Sequence, residues 1–199
     1  MTTALQRVIN AHDKGFQRRK QWPELFDLNS WQESVSYQLI KGHCDKEQAI
    51  LEIGCLTGHH LILLKQEGYH NLVGIDFCQE ALGWAREHDP EHTIDFRVGT
   101  YPTFELRMDD FDRIVLFDVI EHVHDKEVFL SAVHDNLQPD GKVLILVPLG
   151  TNYCDEGHVN FYPDQRALKN LLQYYFTIEK CSIVDSGTKI FAVCSRRSE

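Results

Sequence analysis

Residues 49–60, AILEIGCLTGHH, constrain the fold of this chain more than any other stretch. A run of apolar, β-forming residues takes in the acidic Glu52 and then meets a turn bounded by Gly54 and Gly58, the pattern of a buried strand breaking sharply into a helix. In an open α/β sheet such a junction presents a ligand. Glycines suit it because the turn demands backbone angles closed to other residues and lets a ligand approach the main chain.

The periodicities on either side build a sheet around that strand. LVGID at 72–76 and TIDFRV at 93–98 read as a second and third strand. DRIVLFD at 112–118 and KVLILVP at 142–148 have the continuous apolar interiors of parallel strands covered on both faces. Between them lie helical patterns over about 58–67, over a segment with Ala81, Leu82 and Ala85 on one face, and over 125–137, where Phe129, Val133 and Leu137 are spaced by four. Gln138, Pro139, Asp140 and Gly141 signal a turn. A further helix follows Pro163 and turns Leu168, Leu171, Leu172 and Tyr175 inward. The strands 176–184 and 189–195, joined by Asp185, Ser186 and Gly187, form an antiparallel pair. The expected fold is α/β: a Rossmann-like, open, mostly parallel sheet of about seven strands, with helices on both faces and a C-terminal antiparallel hairpin.

Two helices precede the first strand. One spans 4–20 with Leu5, Val8, Ile9 and His12 on a face and is broken by Trp22 and Pro23. The other runs from an N-cap at Ser30 through Trp31, Val35, Leu39 and Ile40 to a stop at Gly42. Residues 1–45 are expected as a helical cap on an α/β core of 46–199, together one domain. Trp31 and Tyr37 are expected to pack.

Twenty lysines and arginines against 30 aspartates and glutamates give a net charge of −10. That balance argues against nucleic acid or an anionic membrane as partner, because phosphate neutralisation needs a clustered basic surface. The one basic run, Arg18, Arg19 and Lys20, reads as a solvated helix face. The six cysteines lack CxxC spacing, and Cys55, Cys181 and Cys194 sit in apolar contexts, as in a reduced protein. No stretch approaches the roughly 18 apolar residues of a membrane span. A soluble, cytoplasmic protein is expected. Its oligomeric state is not written in the sequence.

The strand ends bring Glu52, Gly54, Asp76, Phe77, Thr100, Tyr101, Asp118, Val119, Glu121 and His122 to one rim. A dinucleotide turn would need glycine where Leu56 and His59 stand, and no Gly-Lys-Ser/Thr follows for a P-loop. What remains is a glycine turn and, 22 residues after Gly54, a carboxylate ending the second strand that can accept both hydroxyls of a ribose. A nucleoside cofactor without phosphate satisfies both. S-adenosylmethionine is such a molecule, and its sulfonium and ammonium suit an acidic rim of Glu52, Asp76 and Asp118.

The ordered set of motifs is specific. ILEIGCLTG with its preceding alanine resembles motif I of the class I S-adenosylmethionine-dependent methyltransferases, GIDFCQEAL at 74–82 resembles their ribose-binding segment, and 111–148 is similar to their fourth and fifth motifs. The resemblance implies S-adenosylmethionine as cofactor. It implies that Glu52 and Gly54, with Cys55 in the same turn, organise the methionine end, and that Gly58 opens the helix. Asp76 would hold the ribose, Phe77 would lie against the adenine, and Asp118 and Val119 would pass the amino-acid portion. Family members often place an aspartate near the position of Thr100, which the resemblance puts in the cofactor site, to meet the adenine amine; here a backbone group or Tyr101 would replace that contact. Leu56 occupies the usual middle glycine, so its side chain either turns from the pocket or weakens binding.

Methyl transfer from a sulfonium is an in-line displacement in which the protein aligns the acceptor, expels water and sometimes removes a proton. The candidates for a catalytic base or orienting group are His122, at the end of the fourth strand, and His158, in a loop, EGHVNFYP, that resembles the acceptor-side segment of small-molecule members. Tyr162 reads as packing, and His59 and His60 as neutral surface or junction groups. His122 and His124 with Glu121 and Asp125 suggest a metal, but alternate residues at such a junction point apart, so none is expected. The reading is methyl transfer to the oxygen, nitrogen or carbon of a small molecule. The alternative, motivated by Leu56 and Thr100, is a methyltransferase-like protein that binds cofactor or a protein partner without turnover. A nicotinamide oxidoreductase is disfavoured by the missing glycines.

Overall fold

The computed structural model describes Gln17 and residues 26–100, 110–150 and 157–197. Most of the expected first helix, the basic run at 18–20 and Tyr101 lie outside these residues. The apolar runs form strands β1 (Ala49–Ile53), β2 (Asn71–Asp76), β3 (Asp95–Val98), β4 (Phe111–Phe117) and β5 (Leu137–Pro148), followed by β6 (Phe176–Val184) and β7 (Lys189–Arg196). They make one seven-stranded sheet in the order β3-β2-β1-β4-β5-β7-β6. β1 to β5 are parallel, and β7 runs antiparallel to both β5 and β6.

Side chains alternate across each strand, so a strand covered on both faces feeds two cores. Ile50, Val115, Leu144 and Phe191 enter one core, and Leu51, Ile114, Ile145 and Ile190 enter the other. Helices α1 (Leu28–Gln32), α2 (Val35–Lys41), α3 (His59–Gln66) and α4 (Gln79–Glu87) serve the first core, through Tyr37, Leu61 and Leu82 among others. Helices α5 (Lys126–Asn136) and α6 (Gln165–Leu172) serve the second through Phe129, Val133 and Leu168. Every residue of α3 from His59 to Leu64 is buried.

Two local expectations are corrected. The single helix expected over 30–42 is two, because Ser34 stops helical geometry and accepts a hydrogen bond from the Tyr37 amide at 3.2 Å as the N-cap of α2, while Asp27 caps α1. Gly42 ends the second helix as expected. The turn expected at 138–141 is absorbed into β5 as a register shift opposite Phe111 and Arg113. Among the described residues no helix is long and apolar enough to cross a membrane.

Candidate active site

From β1 the chain steps outward through β2 to β3, then returns to lay β4 on the other side of β1. Helices leaving β1 and β4 therefore diverge, and a crevice opens beyond their C-terminal ends. A cavity of about 800 Å³ occupies it. Glu52, Gly54, Cys55, Asp76, Phe77, Asp118, Val119, His122 and His158 all line this cavity. Gly58 is buried outside its lining, and Thr100, at the end of β3, is also not part of it. The lining residues not singled out as site residues include Trp31, Ser36, Leu56, His59, His60, Glu121 and Lys189.

The turn after β1 is built on left-handed backbone at Gly54 (φ 76°), Leu56 (φ 49°) and Gly58 (φ 65°). A Cβ at Gly54 would stand 2.7 Å from Val119 Cγ2, and one at Gly58 would stand 2.6 Å from the Phe96 ring. Gly54 thus lets β1 approach the β4 exit, and Gly58 lets α3 settle onto the sheet. Leucine at φ 49° costs about 1–2 kcal/mol. The conformation is held because the Leu56 amide donates to Asp76 Oδ2 at 2.8 Å. Its side chain packs with Phe77 against Cys78 and Ala81 while also bordering the cavity.

Asp76 clamps two turns at once, since Oδ1 accepts from the Cys78 amide at 2.7 Å. Only 6% of the residue is exposed, and burial pushes its carboxyl up to about 6 against the lowering effect of the Cys78, Leu56 and Phe77 amides.

Beside it runs a relay: Glu52 Oε1 meets His60 Nδ1 at 2.6 Å, and His60 Nε2 meets Ser36 Oγ at 2.9 Å. His59 is also buried, its ring stacked between Trp31 at 4.9 Å and Trp84 at 4.8 Å. Burial, with His60 and His88 nearby, pushes its pKa down to about 3, so it is neutral. Both histidines are interior groups, which corrects the surface reading.

On the opposite wall, Asp118 (φ 54°) pairs with Lys189 from β7. The acidic rim expected from Glu52, Asp76 and Asp118 is thus partly neutralised. The next residues form a single helical turn, Ile120–His122. Asn160 staples the 157–162 loop to this turn, donating through Nδ2 to Ile120 O at 2.9 Å and Val123 O at 2.7 Å, while Glu121 O accepts from the Val159 and Asn160 amides. This brings His158 to His122, with ring centroids 4.7 Å apart and nearly perpendicular. His122 Nδ1 donates to Gly157 O at 3.0 Å. Glu121 is buried with neither carboxyl oxygen hydrogen-bonded, and burial with Asp118 pushes it up to about 8. Tyr162 is buried, as expected of packing, but its hydroxyl also lacks a partner. His124 and Asp125 face solvent, and Asp125 caps α5. The carboxylate and two imidazoles that converge are Glu121, His122 and His158, their ligating atoms within 4.8 Å of one another.

A family model described as "Methyltransferase domain" matches residues 17–178. The chain belongs to the class I S-adenosylmethionine-dependent methyltransferase family. Among curated members, a probable S-adenosylmethionine-dependent methyltransferase of Mycolicibacterium smegmatis is 29% identical over 63% of this chain and 48% of its own length. A tRNA U34 carboxymethyltransferase of Klebsiella pneumoniae is 26% identical over 88% of this chain and 56% of its own. The chain therefore spans about half the length of these curated relatives. Among solved structures, the 1,6-didemethyltoxoflavin-N1-methyltransferase of Burkholderia thailandensis, with bound 1,6-didemethyltoxoflavin and S-adenosylhomocysteine, superposes with a TM-score of 0.75 at 15% identity, covering 98% of this chain and 92% of that one. At that identity the likeness shows the fold. The Rossmann-like sheet with its antiparallel C-terminal pair is the family's architecture in this chain.

Proposed function

We propose that the chain binds S-adenosylmethionine in this cavity and transfers its methyl group to a small-molecule acceptor at oxygen, nitrogen or carbon. The observation that carries the reading is Asp76, a buried carboxylate fixed by the Leu56 and Cys78 amides at the end of β2 and opening on a cavity without a phosphate-binding glycine pattern. The donor set fits the cofactor. Glu52 Oε2 is buried and unpartnered, and among the described residues that line the cavity Glu52, Asp76, Asp118, Glu121 and Asp185 are set against Lys189 as the one lysine or arginine. That excess of carboxylate suits a sulfonium and an ammonium.

In this reading Asp76 accepts the ribose hydroxyls and Phe77 covers the adenine. Thr100 stands at the end of β3, on the adenine side. Glu52 and Gly54, with Cys55, hold the methionine end, and Asp118 and Val119 flank its amino-acid portion. His122 and His158 face the acceptor, where either can orient it or take a proton. When bound, S-adenosylmethionine supplies an electrophilic methyl group on a good leaving group. The chain's own part is to align, to exclude water and to hold charge. A net charge of −10 weighs against the polyanionic substrate named for the tRNA-modifying relative. Calorimetry with S-adenosylmethionine and S-adenosylhomocysteine tests the reading: micromolar binding of either is expected, and no binding at millimolar ligand overturns it.

A further inference from the structure

We propose that Glu121, His122 and His158 form a site for one divalent transition-metal ion, zinc or a first-row neighbour, on the acceptor wall of the cavity. Three observations carry it independently of the cofactor.

The first is convergence. The ligating atoms of the three side chains lie within 4.8 Å of one another, and all three residues line the cavity. Around a single zinc, bonds of about 2.1 Å place neighbouring donors roughly 3.4 Å apart, so side-chain rotations of about an ångström complete the set.

The second is a missing partner. Glu121 is 1% exposed and neither of its carboxyl oxygens makes a hydrogen bond. Buried polar groups are normally paired, so a carboxyl with both oxygens unpartnered marks a place where something else binds. Lys189, the lysine among the described lining residues, is engaged by Asp118. A dication supplies the partner that this carboxyl lacks.

The third is preorganisation. His122 donates from Nδ1 to Gly157 O, which makes Nε2 the unprotonated nitrogen and fixes the ring, the arrangement that metal-ligating histidines use. Asn160 holds the 157–162 loop against the 120–123 turn, so His158 is delivered by a stapled backbone. One carboxylate and two imidazoles suit zinc, iron, cobalt or nickel, and three protein ligands leave coordination positions open toward the cavity. An acceptor bearing oxygen donors would occupy them; this last extension rests on the methyl-transfer reading.

The test uses cobalt(II), whose ligand-field bands report coordination. After dialysis against chelator, the intact protein is expected to take up one equivalent with visible absorption. Glu121→Gln and His158→Ala should each weaken that binding by at least about 100-fold, the upper end of what loss of an outer hydrogen-bonding partner costs. His70→Ala, at an exposed histidine remote from the cavity, should leave it unchanged. Absence of the bands in the intact protein, or their retention in both ligand variants, overturns the proposal. S-adenosylhomocysteine binding, measured on the same samples, separates the two readings: cofactor binding without cobalt rejects only the metal site, and cobalt without cofactor binding rejects only the methyl-transfer reading. A band shift on adding acetohydroxamate supports the open positions; no shift overturns that extension alone.

Discussion

The two walls of the cavity are built on opposite terms. On the β1–β2 side each carboxylate is held within the protein through at least one oxygen: Asp76 accepts from the Leu56 and Cys78 amides, and Glu52 reaches Ser36 through His60 while its Oε2 stays unpartnered. On the β4 side Glu121 and the Tyr162 hydroxyl are buried without a hydrogen bond. Buried polar groups are normally paired, and unpaired ones gather where something else is to bind. The difference teaches that stability and function are coupled on the first wall and opposed on the second.

The sharpest way to break the comparison is Gly54→Ala. The added Cβ meets Val119 Cγ2 at 2.7 Å on a backbone of φ 76°, so overpacking and left-handed strain should together destabilise the fold by about 2–4 kcal/mol in urea unfolding. Adding Val119→Ala should recover the overpacking share; no recovery would mean the close approach is not what the glycine is for. Next, Asp76→Asn should weaken S-adenosylhomocysteine binding about 10- to 100-fold, the loss of charge-assisted hydrogen bonds, and should also lower stability, because the amide group cannot accept from both turns. Undiminished affinity in calorimetry would remove Asp76 from the ribose site.

On the other wall the sign reverses. Glu121→Met replaces an unpaired buried carboxyl with an apolar chain of similar shape and should raise stability by about 1–2 kcal/mol in metal-free buffer. Destabilisation would show that Glu121 is partnered in solution. The smallest effect is that of pH. With the Asp76 carboxyl near 6 in the free protein and the ionised form needed to accept hydroxyls, cofactor affinity is full above pH 7 and falls as pH drops through 6, by about fourfold at pH 5.5. In Asp76→Asn that dependence should vanish, and its persistence would assign the titration to another group.

The fold was legible because strands covered on both faces must be apolar throughout, as in β4 and β5, and because Gly54, Asp76 and Asp118 end strands at a switch in strand order. Pairings between distant segments were not legible. His59 and His60 at a helix start look solvated in sequence; in the fold Trp31 packs on both rings, Trp84 stacks on His59 and Phe117 meets His60. Glu121 and His158 are joined by a loop whose docking depends on the Asn160 side chain, and Lys189 reaches Asp118 only once β7 lies beside β5. The division of the expected 30–42 helix turned on a local competition at Ser34, where a cap outweighed continued helical periodicity.

The stack of Trp31, His59 and Trp84 ties a five-residue helix with no buried residue of its own to the floor of the cavity. Trp31 borders the cavity directly, so a ligand that displaces it exchanges an imidazole neighbour for solvent or for an adenine ring. Indole emission responds to both exchanges. The protein thus carries its own optical gauge of occupancy, readable without label and separable from the second stacked indole by Trp84→Phe.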